Sequence, residues 1–549
     1  MCAATVLPRR PQRAMFSQPR RSPVAMDQDK DKDEVSMSPA GESVQGPALR
    51  QLMFGVIANL VALSPGMSLG FSAVALPQMM KFDGIDEHQA SWIASLAAIS
   101  TPFGCILSGP ILDRLGRRVA MLAVNAPCLL GWLLLAAAPR HSGATTLIYL
   151  GRVLTGLGAG LACTPATVYL GESAQQSLRG VLVTWTSIAF SLGILAVYVL
   201  GALFQEHWRL VAGLSAAVPL LAGLCVLLLP ESPVWLARQG RPAAAEASLR
   251  RLRGVAASAD TPAHLRRELA SLAVQAARRT VARDLGHLRR RECLAPLLIM
   301  NLFFFFQQAS GVFVVIFYAV DVVQEAGVEI DKYLVTVLIG LTRLVVTIFI
   351  SYASKSFGRR PCAIVSGSGM TLSMGSLATY LFCVNNKLLS DETIDKINWY
   401  PVLALIVYIS MSTVGFLTLP FAMIGEVYPA QVRGLASGVT TCFGYVCSFI
   451  IVKLYPDMLE MLGRHGLFLF YSVMSLAGTF FVFLYLPETR GKSLSDIEEY
   501  FSNNGSKIKN VLRQENHVSQ NQAGEMTILV NEDQFSTKLI VPDVDKYEH

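Results

Sequence analysis

Asp113-Arg114-Leu115-Gly116-Arg117-Arg118 recurs as Lys355-Ser356-Phe357-Gly358-Arg359-Arg360, an offset of 242 from Asp113 to Lys355. Two further echoes follow in the same order. Gly171-Glu172 with Arg179-Gly180 returns as Gly425-Glu426 with Arg433-Gly434, offset by 254 and with identical internal spacing. Pro230-Glu231-Ser232-Pro233 returns in part as Pro487-Glu488-Thr489, offset by 257. Three motifs in one order at similar offsets mark a duplicated chain.

Between the motifs the chain is apolar. A bilayer core of about 30 Å needs about 20 mostly apolar residues at about 1.5 Å per residue. Runs of that length start near Leu52, Ala90, Val119, Thr146, Val181 and Leu210, and again near Leu294, Tyr333, Pro361, Trp399, Leu435 and Leu467. The sets are separated by a polar, Ala-, Leu- and Arg-rich stretch. The reading is an all-α integral membrane protein of twelve transmembrane helices, built as two six-helix pseudo-repeats about an axis along the membrane normal. The predicted organisation is a disordered cytoplasmic N-terminal tail (1–50), a first bundle (51–230), a cytoplasmic helical linker (231–293), a second bundle (294–488) and a cytoplasmic C-terminal tail (489–549).

Composition agrees. Of 549 residues, 52% are hydrophobic and only 15% charged, with mean hydropathy +0.45. Soluble chains carry roughly 25% charged residues, so a multidomain soluble enzyme is excluded. The formal charge of +7 does not point to nucleic acid, because the basic residues cluster as membranes require. Arg114, Arg117 and Arg118, the arginines from Arg238 to Arg291, and Lys355, Arg359 and Arg360 all fall on one side of a twelve-span topology. Asp83, Asp86, Glu87, Glu325, Glu329 and Asp331 fall on the other. The positive-inside rule puts both termini in the cytoplasm. There is no cleavable signal peptide, and Asn504-Gly505-Ser506 falls in the cytoplasmic tail. The default location is the plasma membrane. Ten scattered cysteines without a C-x-x-C pair read as small packing residues rather than metal ligands or disulfides. No P-loop, nucleophile elbow or metal cluster is present, so neither an enzyme nor a cofactor is expected.

The motif charges all belong to the cytoplasmic rim. Solvated loop charges contribute about 0–1 kcal/mol per pair. The alternative is a lock between and within the halves that closes in one state and opens in another. The Glu seven residues before an Arg-Gly in both halves favours the lock. Its expected members are Arg117, Glu172, Arg179, Glu231, Arg359, Glu426, Arg433 and Glu488.

Together with Pro230-Glu231-Ser232-Pro233-Val234-Trp235-Leu236, Gln307-Gln308-x-Ser310-Gly311 and Pro487-Glu488-Thr489-Arg490-Gly491-Lys492, these motifs resemble the sugar porter family of the major facilitator superfamily over roughly residues 50–500. The short first external loop and the motif wording are most similar to the insect facilitated trehalose transporter group. The resemblance implies movement of sugars by alternating access, with a small-molecule sugar and the bilayer as partners. It also implies that Gln307 and Gln308 contact the sugar, which amides do well by donating and accepting.

The rest of the implied site departs from the family. Ser187 stands where helix five usually has a Gln. Gly311-Val312-Phe313 replaces Gly-Ile-Asn, Pro420-Phe421 replaces a Pro-Trp, and Gly444-Tyr445 replaces Asn-Trp. Phe416-Leu417-Thr418-Leu419 replaces a Gly-Pro-rich lead, which predicts a stiffer tenth helix. Arg343 takes the place of a sugar-facing Asn. It lies 15 residues before Gly358, about 22 Å from the helix end, beyond easy snorkelling. Thr336, Arg343 and Thr347 share one helix face, expected to line the central path. An intramembrane Arg is a functional candidate by default. Leu69-Gly70-Phe71-Ser72 lacks the helix-one Asp of proton-coupled relatives, which favours uniport. The substrate-binding expectation is therefore Ser187, Gln307, Gln308, Phe313, Arg343 and Phe421. The function is a facilitative carrier of trehalose or a hexose. A non-transporting sensor of the same fold, or a carrier of a less polar or anionic solute, stands as the alternative.

Overall fold

The computed structural model describes residues 45–139, 144–255, 262, 265–270, 291–328, 330–353, 357–429, 432–492, 496 and 500–501. The chain divides into two units, Met1–Gly46 and Pro47–His549, and the account below concerns the second. Lys355 and Ser356 of the repeated motif, Glu329, the arginines from Arg278 to Arg290 and Asn504-Gly505-Ser506 lie outside the described residues.

Among the described residues the regular structure is helical. The first half comprises α1 (Gln45–Leu60), α2 (Leu63–Asp83), α3 (Glu87–Leu115), α4 (Arg117–Ala136), α5 (Ala144–Leu161), α6 (Pro165–Ser173), α7 (Gln176–Leu203) and α8 (Trp208–Val226). Two short helices, α9 (Pro233–Arg238) and α10 (Pro242–Arg253), follow. The second half comprises α11 (Arg291–Ala309), α12 (Val312–Phe317), α13 (Ala319–Glu325), α14 (Lys332–Ala353), α15 (Arg359–Asn385), α16 (Asp391–Lys396), α17 (Tyr400–Val414), α18 (Leu419–Val427) and α19 (Arg433–Tyr485).

Among the described residues nine helical segments are long and apolar enough to cross a membrane by length and composition. The 53 residues of α19 break at Gly463, where φ is 68° and ψ is 172°, which divides it into two arms. The 27 residues of α15 extend about 40 Å. The α11–α12–α13 run is broken at Gly311. There φ is +85° and a Cβ would sit 2.7 Å from the Tyr471 ring, so only glycine fits.

Several crossings are built of two helices. The break in α5–α6 falls before Pro165 and that in α17–α18 before Pro420, each proline at the first turn of the second helix, where its missing N–H costs nothing. The stiffer tenth helix expected from Phe416–Leu419 is not what forms. Residues 415–418 are a turn, and Gly415 has φ −141° and ψ −69°. The missing Gly-Pro lead is made good by Gly415, Pro420 and an outside donor. Gln307 Nε2 donates to the freed carbonyls of Phe416 (2.8 Å) and Leu417 (3.1 Å).

In the first half α5 packs on α3 and α4, α2 on α7, and α4 on α8. In the second, α19 packs on α15 and α11, and α17 on α14 and α15. The halves meet where α3 packs on α19, α7 on α14, and α2 on α12 and α13. Tyr198 Oη donates to the Ile316 carbonyl (2.8 Å), Gln205 Nε2 to Asp331 (3.3 Å), and Lys453 Nζ to Ser91 Oγ. These three bonds cross between the halves toward the face opposite the repeated motifs.

Candidate functional site

The motif charges gather into two matching nodes, one per half. In the first, Arg117 opens α4 and its guanidinium grips Glu172 at the end of α6, Nε to Oε2 and Nη2 to Oε1, both 2.8 Å. Its Nη1 donates to the Leu112 carbonyl at 3.0 Å. Glu231 caps the N-terminus of α4, accepting from the backbone N–H of Arg117 (2.9 Å) and Arg118 (3.1 Å). A carboxylate is favoured there by the unpaired amides and the helix dipole. Ser232 Oγ donates to Glu172, and Arg118 Nη2 donates to the Leu227 carbonyl at 2.6 Å.

The second node repeats the first part for part. Arg359 opens α15 and donates from Nη2 to Glu426 Oε1 at 2.9 Å. Glu488 accepts from the N–H of Arg359 (2.9 Å) and Arg360 (3.0 Å). Thr489 Oγ1 stands in for Ser232, donating to Glu426 at 2.7 Å, and Arg360 Nη2 reaches the Phe483 carbonyl. The turn glycines are needed for close approach. A Cβ on Gly116 would lie 2.6 Å from Glu231 Oε2, and one on Gly358 2.5 Å from Glu488 Oε2.

The spacing of Glu to Arg-Gly reflects a different contact from the one it suggests. Glu172 and Glu426 pair with the motif arginines, whereas Arg179 donates to the Ala174 carbonyl (3.5 Å) and Arg433 to that of Tyr428 (3.1 Å), each five residues back. Both nodes described here join helices of a single half. Sequence reasoning missed Arg118, Ser232, Arg360 and Thr489, all flanking motif residues, and Arg253. That side chain is buried, donates from Nη1 to the Ser173 carbonyl (2.9 Å) and clasps α10 to the end of α6.

In the centre, Gln307 and Gln308 are both buried at the end of α11. Gln307 spends its amide N–H groups on the α17–α18 break, while Gln308 Oε1 is buried without a donor. Phe421 packs edge-on against Phe304 with ring centroids 4.9 Å apart, and lies 6.4 Å from the Tyr445 ring. Phe313 is buried on α12, and Ser187 is exposed on α7. Arg343 is buried on α14 together with Thr336 and Thr347, the face the spacing predicts.

Arg152, inside α5, was overlooked, though a lone arginine in an apolar run is itself a signal. It is fully buried and donates to the carbonyls of Ile93 (2.9 Å) and Ser68 (2.8 Å) and to Ser72 Oγ (2.6 Å). Its partner on α2 is thus a hydroxyl from the stretch that lacks an acid.

The profile of the family described as "Sugar (and other) transporter" matches residues 48–501. The facilitated trehalose transporter Tret1 of Aedes aegypti is 31% identical over 453 residues, 82% of this chain and 54% of that protein. Tret1 of Polypedilum vanderplanki is 31% identical over 452 residues, 82% of this chain and 87% of that one. The chain therefore spans about half the length of the first of these relatives. In fold it resembles the inward-open conformation of the E. coli xylose transporter XylE, with a TM-score of 0.68 at 19% identity, covering 82% of this chain and 99% of that one.

Proposed function

This chain belongs to the sugar transporter family, and on that footing we propose that it moves a sugar passively across the cell membrane by alternating access, as a uniporter. The observation that carries the reading is the pair of matched charge nodes on one face of two pseudo-repeated bundles. Such nodes hold one arrangement of a half together, and their rupture releases another. Trehalose is the first expected substrate, from the relatives' names, and a hexose the second. Ser72 in place of a carboxylate opposite Arg152 supports uniport, since no acid there can exchange a proton.

The basic motif face belongs in the cytoplasm by the positive-inside rule, with both termini on that side. Gln308 is the amide best placed to serve hydroxyls. Gln307, Ser187, Phe313, Phe421 and Arg343 complete the proposed site. Uptake of labelled trehalose and glucose into oocytes, wild type beside Gln308→Ala, tests the reading. Saturable uptake weakened in the variant is the expected result. Binding without flux would favour a sensor, a possibility motivated by the amides missing at Ser187, Phe313 and Gly444.

A further inference from the structure

Among the described residues, two arginines lie well inside candidate spans with their side chains withdrawn from solvent, and their surroundings treat them differently. Arg152 has three acceptors around its guanidinium, so its charge is met by protein. Arg343 is 7% exposed, and its Nε and Nη1 are buried with no acceptor. Among the described residues no carboxylate forms an ion pair with it.

The neighbouring hydroxyls donate elsewhere, and none accepts from Arg343 Nε or Nη1. Thr336 Oγ1 donates to the Lys332 carbonyl, and Thr347 Oγ1 to that of Arg343, both at 2.8 Å. Thr347 also meets Ser191 across the α7–α14 contact at 3.2 Å. Gly340, one turn before Arg343, faces the Tyr198 ring, where a Cβ would lie 2.9 Å away. The Tyr198 hydroxyl is itself donated to Ile316. A guanidinium keeps its proton even when buried, so the protein holds a positive charge among apolar and satisfied groups. That arrangement is costly unless something else supplies the counter-charge.

We infer that Arg343 receives the carboxylate of an acidic saccharide, a hexuronate-type solute, during the transport cycle. The inference rests on the carrier reading given above and sets an acidic sugar in place of the neutral trehalose or hexose as its substrate. A planar fork of N–H donors matches a carboxylate in two parallel bonds. One positive charge balances a carboxylate, whereas a phosphate dianion would leave a negative charge unmatched in the same apolar setting. Gln308 Oε1, buried without a donor, adds a place for a sugar hydroxyl. A hydroxylated carboxylate offers a partner to each kind of group. A neutral sugar serves Gln308 and leaves Arg343 without its counter-charge.

The test uses the purified full-length chain in proteoliposomes, with labelled glucuronate, glucose and trehalose, and with glucose 6-phosphate as competitor. Glucuronate should be taken up, and should compete at least tenfold more strongly than glucose or glucose 6-phosphate. Because each turnover then moves one negative charge, an inside-negative potential should slow glucuronate entry and leave glucose entry unaffected. Arg343→Gln should cut glucuronate uptake by a larger factor than neutral-sugar uptake, and Arg343→Lys should keep an intermediate rate.

The inference is overturned if wild-type protein carries neutral sugars and glucuronate neither enters nor competes. A preference for glucose 6-phosphate overturns it too, as does an unaltered glucuronate rate in Arg343→Gln. Should no sugar be transported while glucuronate raises the thermal stability of wild type but not of Arg343→Gln, the carrier reading fails and the carboxylate assignment stands.

Discussion

Glu172→Gln and Glu426→Gln remove the same carboxylate from matching nodes, yet burial predicts unequal costs. Arg117 and Glu172 are 3% and 12% exposed in their side chains, against 24% and 33% for Arg359 and Glu426. Removing one partner of a buried ion pair strands the other and costs about 3–5 kcal/mol. The Leu112 carbonyl and the Gln oxygen still accept from Arg117 in the variant, and Glu231 still lies against its backbone. The low end, about 3 kcal/mol, is therefore expected. In the second node solvent screens the loss, and about 1 kcal/mol is expected. Thermal unfolding of the purified protein in one detergent should show a loss of Tm about three times larger for Glu172→Gln than for Glu426→Gln. Arg117→Gln combined with Glu172→Gln removes the stranded charge, so the double variant should unfold at a higher temperature than Glu172→Gln alone. Equal shifts in the two single variants, or a double variant no better than the sum of its parts, would refute the argument from burial.

Neutralising Glu426 or Arg433 should bias the carrier toward an inward-open state and reduce exchange. Unchanged labelling of cysteines introduced along the path, together with unchanged transport, would count against this. Gln308→Ala should lower saturable sugar uptake at least tenfold and Tm only modestly, since its oxygen bonds nothing in the protein and its Nε2 makes only a 3.5 Å contact to Gln307 Oε1. Gln307→Ala should lower Tm as well, because two carbonyls at the α17–α18 break lose their donor at roughly 1 kcal/mol each; equal Tm in the two variants would contradict the contact. Gly116→Ala and Gly358→Ala should each destabilise the protein and impair transport, and wild-type unfolding in both would show that the carboxylates do not approach the turns as described. Cys105 and Cys163, with sulfurs 3.6 Å apart, should be bridged by a short bifunctional thiol reagent, read as an intact-mass increase lost in Cys163→Ser.

What the sequence made legible was whatever repeats or whatever a bilayer demands. The span starts and the charges that pair or cap in both nodes (Arg117, Glu172, Glu231, Arg359, Glu426 and Glu488) follow from hydropathy and self-similarity, because burial in lipid permits few alternatives. The pairing within the nodes was not legible. Glu172 and Arg179 are close in sequence, but Arg117 reaches Glu172 across 55 residues because α4 begins where α6 ends. The broken tenth crossing was misread for a related reason. Local composition around Phe416 argues for a continuous helix, and the donor that makes the break affordable, Gln307, comes from α11. Arg152 is legible in the sequence as the one charge in the apolar run from Thr146 to Ala162.

The duplication also acts as a natural mutational experiment, and its outcome separates structural from incidental charge. The node atoms come from positions identical in both copies: Gly116 and Gly358, Arg117 and Arg359, Arg118 and Arg360, Glu172 and Glu426, Glu231 and Glu488; Gly171, Arg179, Gly180 and Pro230 also return, as Gly425, Arg433, Gly434 and Pro487, and Arg179 and Arg433 bond carbonyls outside the nodes. Ser232 and Thr489 differ by a methyl group and keep the hydroxyl that donates to the glutamate. By contrast Leu115 and Phe357 differ, and both are more than half exposed. A solvated charge has no reason to return at the same place in each half, whereas a carboxylate capping a helix N-terminus beside a turn glycine has one. The centre shows no such echo: Gln307, Gln308 and Arg343 have no counterpart set in the first half. The rim repeats because both halves must be held in the same way, whereas the proposed central site draws on groups that one half alone supplies.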